Sequence, residues 1–304
     1  MEELKLKTVA AALAAAIIWG TAFAFQRMAA GDIGAFSFTF YRSALASLSL
    51  GVLLLAQKVR PNKDEQKKAD KKQLVIGGLV CGVLIMAASS LQQAGLANTE
   101  AGKAGFLTAL YILLVPILSV VFLHKKVAPS LWICVLLGLI GLYFISVKDG
   151  FTISGSDTLI LLSSLVYAVY ILAVAHFVRF CSPTALNCAQ FGVSAVICFA
   201  LMFIFEEPTV ASLRDNIIPI LYLGIFSSAV AYTLQFIAQR DGNTVAVTLI
   251  LSMESVFSAV GGAVLLHEFL TTRELFGCAL MFTAVILIQL PESVWKRKKQ
   301  PTGK

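Results

Sequence analysis

Long apolar stretches separated by short polar segments run through the whole chain. Each has about 18 or more mostly apolar residues, the length that about 30 Å of hydrocarbon requires at about 1.5 Å rise per residue. The stretches do not alternate as barrel strands do, and a backbone in lipid must satisfy its own polar groups, so they must be helices. We therefore predict an all-α integral membrane fold with ten transmembrane helices. Their predicted positions are 8–26, 34–56, 74–95, 104–123, 128–147, 157–178, 184–205, 216–238, 244–266 and 272–290.

Comparison of the chain with itself indicates a tandem duplication, with halves at 1–148 and 149–304. Because each half has an odd number of helices, the second must enter the membrane from the opposite side, so the repeat is inverted. Inverted repeats recur in secondary transporters, whose halves rock about a site at their interface. Chance similarity between apolar helices is the alternative interpretation. The matches are 13–19 with 161–167 and Arg42 with Gln190 at a shift of 148, and Gln92 with Gln235 and 123–124 with 266–267 at a shift of 143.

Composition and charge support a membrane protein. Hydrophobic residues make up 58% of the 304 residues and charged residues only 13%, against about 25% charge in a typical soluble domain. The net charge of +7 would also suit a nucleic-acid binder, but the basic residues sort by predicted loop. This asymmetry predicts a multi-pass plasma-membrane protein with both termini cytoplasmic, membrane lipids as partners and no nucleic acid. The inner side holds Lys5, Lys7, Lys58, Arg60, Lys63, Lys67, Lys68, Lys71, Lys72, Lys125, Lys126, Arg179, Arg240, Lys296, Arg297, Lys298, Lys299 and Lys304, and the outer side holds Arg27, Lys103, Lys148, Arg214 and Arg273.

Two features of the chain, the first span and the six cysteines, are expected to have structural roles. The first span could be a cleaved signal peptide ending near 22–24, but its apolar stretch exceeds the usual 7–15 residues and its removal would break the repeat. The six cysteines form no CxxC pair and are expected to pack as buried free thiols. We expect no metal and no cofactor.

Two ionisable residues lie deep within predicted spans, where a charge is costly unless it is paired or faces water. Arg42 lies in the second span and Glu254 near the middle of the ninth. Their depths differ by roughly 6 Å, within reach of an arginine if the helices adjoin. The functional hypothesis is that Arg42 holds an anionic group of a small-molecule substrate, while Glu254 binds a cationic group or a coupling proton. The alternatives are a structural ion pair, or an Arg42 side chain that extends towards the interface.

Polar and aromatic side chains within spans are expected to face the bundle interior, and some should line a cavity for a small organic solute. Pro116 removes a backbone donor and should bend the fourth helix. Glycines at 78 and 82, 138 and 141, and 261 and 262 should allow close helix packing. The inward-facing set is Trp19, Tyr41, Gln92, Gln93, Tyr111, Tyr167, Tyr170, Gln190, Tyr232 and Gln235.

Enzyme signatures are incomplete. His267-Glu268 begins like HExxH, but position 271 is Thr. No GxxxxGK[ST] loop is present to bind nucleotide phosphates. We therefore predict that the chain is not an enzyme, and keep an intramembrane enzyme and a membrane receptor or scaffold as alternatives to a carrier.

Several segments resemble the EamA family of the drug/metabolite transporter superfamily. In the first half these are Trp19-Gly20-Thr21, Phe40-Tyr41-Arg42 and the stretch from Gly105 through Tyr111 to Pro116. In the second half they are 234–240, 250–257 with Glu254, and 265–268.

The resemblance implies ten spans, inverted five-helix halves and a central cavity between them. It implies export or exchange of amino acids and related metabolites by alternating access without ATP. It also implies that the cavity carries the substrate-binding residues Trp19, Arg42, Tyr111, Gln235 and Glu254. The chain departs from the family at His124-Lys125 and at His267-Glu268, where the family's repeats often close with Gly-Glu. Its first span also lacks the membrane-embedded glutamate of the small four-helix members.

Overall fold

The structure, a computed structural model, describes residues 4–59, 70–99, 101–146, 154–265 and 271–290. Over those residues the fold is helical, with no named strand. The helices are α1 (Leu6–Ala29), α2 (Ala35–Val59), α3 (Lys71–Leu96), α4 (Ala101–Ala109), α5 (Tyr111–Val121), α6 (Pro129–Ser146), α7 (Gly155–Phe177), α8 (Pro183–Phe205), α9 (Val210–Asp215), α10 (Ile217–Leu221), a π-helical segment (Tyr222–Ala231), α11 (Tyr232–Asp241), α12 (Thr244–Leu251), α13 (Glu254–Leu265) and α14 (Thr272–Ile288).

These helices confirm an all-α, multi-pass membrane protein. Within the described ranges, seven helical segments are long and apolar enough to cross a bilayer, and two shorter apolar helices run from Pro129 to Ile145 and from Thr244 to Val260. Large apolar side chains on many helices point outward, as a lipid-facing surface requires. The number of ten spans and their inverted arrangement stay predictions.

Two of the predicted spans are interrupted. The span predicted at 104–123 divides at Leu110 into α4 and α5, and the one predicted at 244–266 divides at 252–253 into α12 and α13. Pro116 lies within α5, so the interruption comes before the proline. The two breaks lie 143 residues apart, which is the shift that relates the halves in this part of the sequence. Interrupted helices at corresponding positions are typical of transporter binding sites.

The eighth predicted span also differs from a regular α-helix. Between α10 and α11, ten residues from Tyr222 to Ala231 form a π-helix. Such segments are rare, are usually a single turn long and are frequent at functional sites. Ser227 of this segment reaches the cavity described below.

Glycines let the helices of the two halves pack closely. A Cβ on Gly82 would lie 2.6 Å from the Val193 Cβ, so the backbone of α3 contacts a side chain of α8 directly. Gly141 of α6 and Gly277 of α14 face each other. A Cβ added to Gly141 would lie 2.8 Å from the carbonyl oxygen of Gly277, and a Cβ added to Gly277 would lie 2.6 Å from that of Gly141. This packing agrees with the role expected for the first two glycine pairs.

Some sequence-based predictions fall outside the described residues. They concern the basic segment 60–69, Lys148, His267 and Glu268, and the tail from 291 to 304; the environment of Gly261 and Gly262 is likewise not described. The helices on either side of the connection between the second and third predicted spans extend further than expected, to Val59 and from Lys71.

Candidate functional site

A cavity lies between the two halves of the chain. All five sequence-predicted site residues, Trp19, Arg42, Tyr111, Gln235 and Glu254, lie around it. The other lining residues are Ala22, Phe23, Gln26, Gln92, Thr108, Tyr167, Tyr170, Ile171, Ser227, Tyr232 and Leu251.

The helix interruptions bring the carboxylate of Glu254 into the cavity. Glu254 is the first residue of α13, and Tyr111 is the first residue of α5, at the corresponding position of the other half. The Tyr111 hydroxyl donates a hydrogen bond to Glu254 Oε1 at 3.0 Å. Both residues are about 5% exposed. The α13 amino terminus also favours a negative charge at this place.

Gly20 of α1 allows this arrangement. A Cβ at position 20 would lie 2.8 Å from the backbone oxygen of Glu254 and 2.7 Å from the Cβ of Phe257. Because the glycine has no side chain, α1 approaches the start of α13 closely. The adjacent Trp19 therefore lines the same cavity as Glu254.

Arg42 is buried in the chain, at 4% exposure, and is held by one side-chain contact. Its Nε donates to Ser228 Oγ at 3.1 Å. Among the described residues no carboxylate lies within 4.0 Å of the guanidinium, so the ion pair with Glu254 considered above is not formed. The side chain does not extend to the interface either. Its terminal nitrogens are left without a hydrogen bond to any described residue.

Aromatic rings form much of the cavity wall. Trp19 Nε1 donates to the Ser227 carbonyl oxygen at 3.3 Å, and its ring meets Tyr232 edge to face at 4.8 Å. Tyr170 contacts both Tyr167 and Tyr232 in similar edge-to-face pairs. This wall combines apolar area with hydroxyl and indole groups, as sites for small organic solutes do.

The two glutamines matched by the repeat differ in their hydrogen bonds. Gln92 Nε2 donates to Thr108 Oγ1 at 3.0 Å, and Gln92 Oε1 accepts from the Tyr167 hydroxyl at 3.3 Å. Gln235 is 2% exposed, and its Oε1 has no hydrogen-bond partner. A buried amide oxygen left unpaired is costly unless a ligand or water completes it.

Three of the polar residues expected to face inward lie away from this cavity. Tyr41 packs against Phe40, and Gln190 donates to Asn187 Oδ1 at 2.8 Å. Gln93 donates to the Gln26 carbonyl oxygen at 3.2 Å.

Sequence reasoning missed four polar residues at or beside the cavity, namely Gln26, Thr108, Ser227 and Ser228. Small hydroxyl residues are common in spans, so nothing in the sequence distinguished the last three. Among the described residues, no group of three or more His, Cys, Asp and Glu side chains could hold a metal ion.

Comparisons with known proteins agree with this architecture. A solved structure titled "Crystal structure of protein" superposes with a TM-score of 0.73 at 17% identity, covering 92% of this chain and 95% of the other, which shows a shared fold. An uncharacterized transporter of Archaeoglobus fulgidus is 31% identical over 279 residues, covering 90% of this chain and 83% of that protein.

Two more distant relatives also match. An uncharacterized transporter of Clostridium kluyveri is 22% identical, covering 78% of each chain. A chloroplastic WAT1-related protein of Arabidopsis thaliana is 25% identical over 65% of this chain and 50% of its own length.

The profile of the EamA-like transporter family matches the chain twice, at residues 6–147 and at residues 155–290. The two matches together span nearly the whole sequence. With a transporter relative above 30% identity, they place this membrane protein as a member of the EamA-like transporter family.

Proposed function

We propose that this chain is a secondary transporter that exports or exchanges small metabolites such as amino acids across the plasma membrane by alternating access. The observation that carries the proposal is a pair of opposite charges, Arg42 and Glu254, which line one cavity without pairing with each other. Burying either charge without a partner costs on the order of several kcal/mol. A solute that carries both charges would offset that cost.

The unpaired polar groups of the cavity support a binding position for such a solute. The terminal nitrogens of Arg42 are donors in a planar fork that suits a carboxylate. Glu254 and the unpaired amide oxygen of Gln235 are acceptors that suit an ammonium group. Aromatic rings such as Trp19 and Tyr232 supply the apolar contact between them. Trp19, Arg42, Tyr111, Gln235 and Glu254 are thus the proposed substrate-binding residues.

Glu254 has a second possible role, as the site of a coupling proton. In that case its protonation would accompany the transport cycle, and Tyr111 would orient the carboxylate. The two roles differ in their dependence on a pH gradient. Glu254→Gln should abolish coupling to the gradient while exchange continues if the residue carries a proton, and should weaken solute binding itself if it holds an ammonium group.

Alternating access rests on the inverted repeat. The paired interruptions at Leu110 and at 252–253 and the double match to the family profile support that repeat. The distribution of basic residues supports cytoplasmic termini. Two halves of this kind can expose the cavity to each side in turn.

The test begins with purified protein and a thermal-shift screen of amino acids, amines and nucleosides. A ligand at 100 times its dissociation constant stabilises by about 2.7 kcal/mol. Flux of each stabilising solute is then measured in proteoliposomes, where we expect Arg42→Ala and Glu254→Gln to lose it.

Matched controls are Arg214→Ala and Glu207→Gln, which change exposed residues of the same types. Equal flux in the site variants and the controls would contradict the assignment of the cavity. Chemical conversion of a solute without its movement across the bilayer would indicate an enzyme instead.

A further inference from the structure

One end of the helix bundle carries a buried ion pair between the halves. Lys103 Nζ of α4 donates to Asp157 Oδ2 of α7 at 2.6 Å, and Thr99 Oγ1 donates to Asp157 Oδ1 at 3.0 Å. The backbone N–H of Ser154 also donates to Asp157 Oδ2, at 2.7 Å, as part of a capping box. The carboxylate is only 2% exposed, so its charge is stabilised by these contacts and not by water. We call this end of the bundle the Asp157 end.

The opposite end is closed by contact between small and apolar groups. Here the connection between α11 and α12 lies on the start of α1, and a Cβ on Gly242 would come within 2.7 Å of Thr8 Cγ2 and 3.0 Å of Leu4 Cδ2. We call this the Gly242 end. Under the two shifts of the repeat, the equivalents are Gly242 for Thr99, Ala246 for Lys103 and Val9 for Asp157. The equivalent contact at this end therefore lacks the ion pair.

The two closures differ in what opening them requires. To open the Asp157 end, Lys103 and Asp157 must separate, and removing Lys103 leaves Asp157 as an uncompensated buried charge. To open the Gly242 end, the close contacts of Gly242 with Thr8 and Leu4 must be lost. An ion pair with good geometry and additional hydrogen bonds therefore favours the conformation that is closed at the Asp157 end.

We propose that the Lys103–Asp157 pair is a latch that sets the balance between the two conformations of the transport cycle, in favour of the one closed at the Asp157 end. This inference rests on the proposed transport function, because the two conformations are those that expose the cavity in turn. Lys103 and Asp157 act by positioning the halves and do not touch the substrate.

The experiment measures the two ends separately in full-length protein in nanodiscs. Nitroxide labels are attached through unnatural amino acids, because six native cysteines rule out thiol labelling. One pair of labels, at the exposed positions Asn98 and Thr158, reports the Asp157 end. A second pair, at the exposed positions Lys7 and Asp241, reports the Gly242 end. Distance distributions come from pulsed electron paramagnetic resonance without added solute.

We expect Lys103→Met and Asp157→Asn each to raise the fraction open at the Asp157 end about tenfold or more, with a matching fall in the fraction open at the Gly242 end. Lys103→Arg should keep the wild-type distribution because it keeps the charge and the donors. Asp215→Asn, in an exposed ion pair, is the matched control and should change nothing. Asp157→Asn also removes the capping box, so this variant can fail to fold. Lys103→Met leaves the capping box intact and therefore tests the latch independently.

Unchanged distributions in the foldable variants would overturn the latch, as would an equal effect of Asp215→Asn. Flux assays on the same proteins separate this outcome from failure of the proposed function. A shift in the distributions with no flux of any solute in the wild type would refute transport and retain the latch. Normal flux with unchanged distributions would refute the latch alone.

Discussion

Replacement of Gly20 by alanine tests whether the contact between α1 and α13 positions the carboxylate of Glu254. The added Cβ would lie 2.7 Å from Phe257 Cβ, 2.8 Å from the Glu254 carbonyl oxygen and 2.9 Å from the Phe257 carbonyl carbon. Because non-bonded carbons prefer about 3.5–4.0 Å, the two helices must separate by roughly 1 Å. Two of the three contacts are backbone atoms, so a change of rotamer cannot relieve them. Overpacking of this kind costs about 1–3 kcal/mol.

The assay combines thermal unfolding in detergent with solute binding. Gly20→Ala should lower the melting temperature and weaken binding of any solute that stabilises the wild type, because Glu254 moves with α13. Gly51→Ala is the matched control, since Gly51 lies within α2 and nothing is within 4 Å of its added Cβ. That control should be neutral or more stable by up to about 1 kcal/mol. A Gly20→Ala protein as stable as Gly51→Ala, with binding intact, would refute the reasoning.

Two further substitutions test individual hydrogen bonds. Gln92→Leu should lower stability by about 1–3 kcal/mol, because it leaves the Tyr167 hydroxyl without this acceptor, whereas Gln235→Leu should leave stability unchanged and weaken solute binding. Melting temperatures with and without solute distinguish the two, and equal behaviour would contradict the assignment. Tyr111→Phe removes the hydroxyl that donates to Glu254, so the pH dependence of flux should change while folding is retained; an unchanged pH profile in proteoliposomes would argue against that contact.

The membrane-spanning character could be predicted because the thickness of a bilayer sets the length of each apolar stretch. The helix interruptions could not. Leu110 is an apolar residue within an apolar stretch, and the only strong helix breaker nearby, Pro116, lies within the regular helix α5. At 252–253 the chain has Ser and Met, neither of which marks a break. We attribute both interruptions to tertiary packing around the cavity, which cannot be deduced from the local sequence.

The charged residues of the cavity could be identified because ionisable groups deep in a span are rare. The alternative of an ion pair between them is not formed in the structure, for a physical reason. Counting residues along a helix gives the depth of a side chain but neither its rotation about the axis nor its lateral neighbours. Arg42 thus faces Ser228, on a π-helical segment whose geometry differs from the α-helix assumed in the count. The pattern Ser154-x-x-Asp157 was a recognisable capping box, but its link to Lys103 needed the fold.

A duplicated chain tends to place like groups opposite each other across the interface of its halves. Two carboxylates at the positions of Tyr111 and Glu254 would repel each other, whereas the phenol at one of them donates a hydrogen bond to the carboxylate at the other. The glutamines matched by the proposed repeat also differ, since Gln92 is satisfied by protein groups and Gln235 keeps an unpaired acceptor. On the repeat proposed here, this divergence turns a nearly symmetric cavity into one with a donor side at Arg42 and an acceptor side at Glu254. On the proposed function, such a cavity would hold a solute with oppositely charged ends in a single orientation.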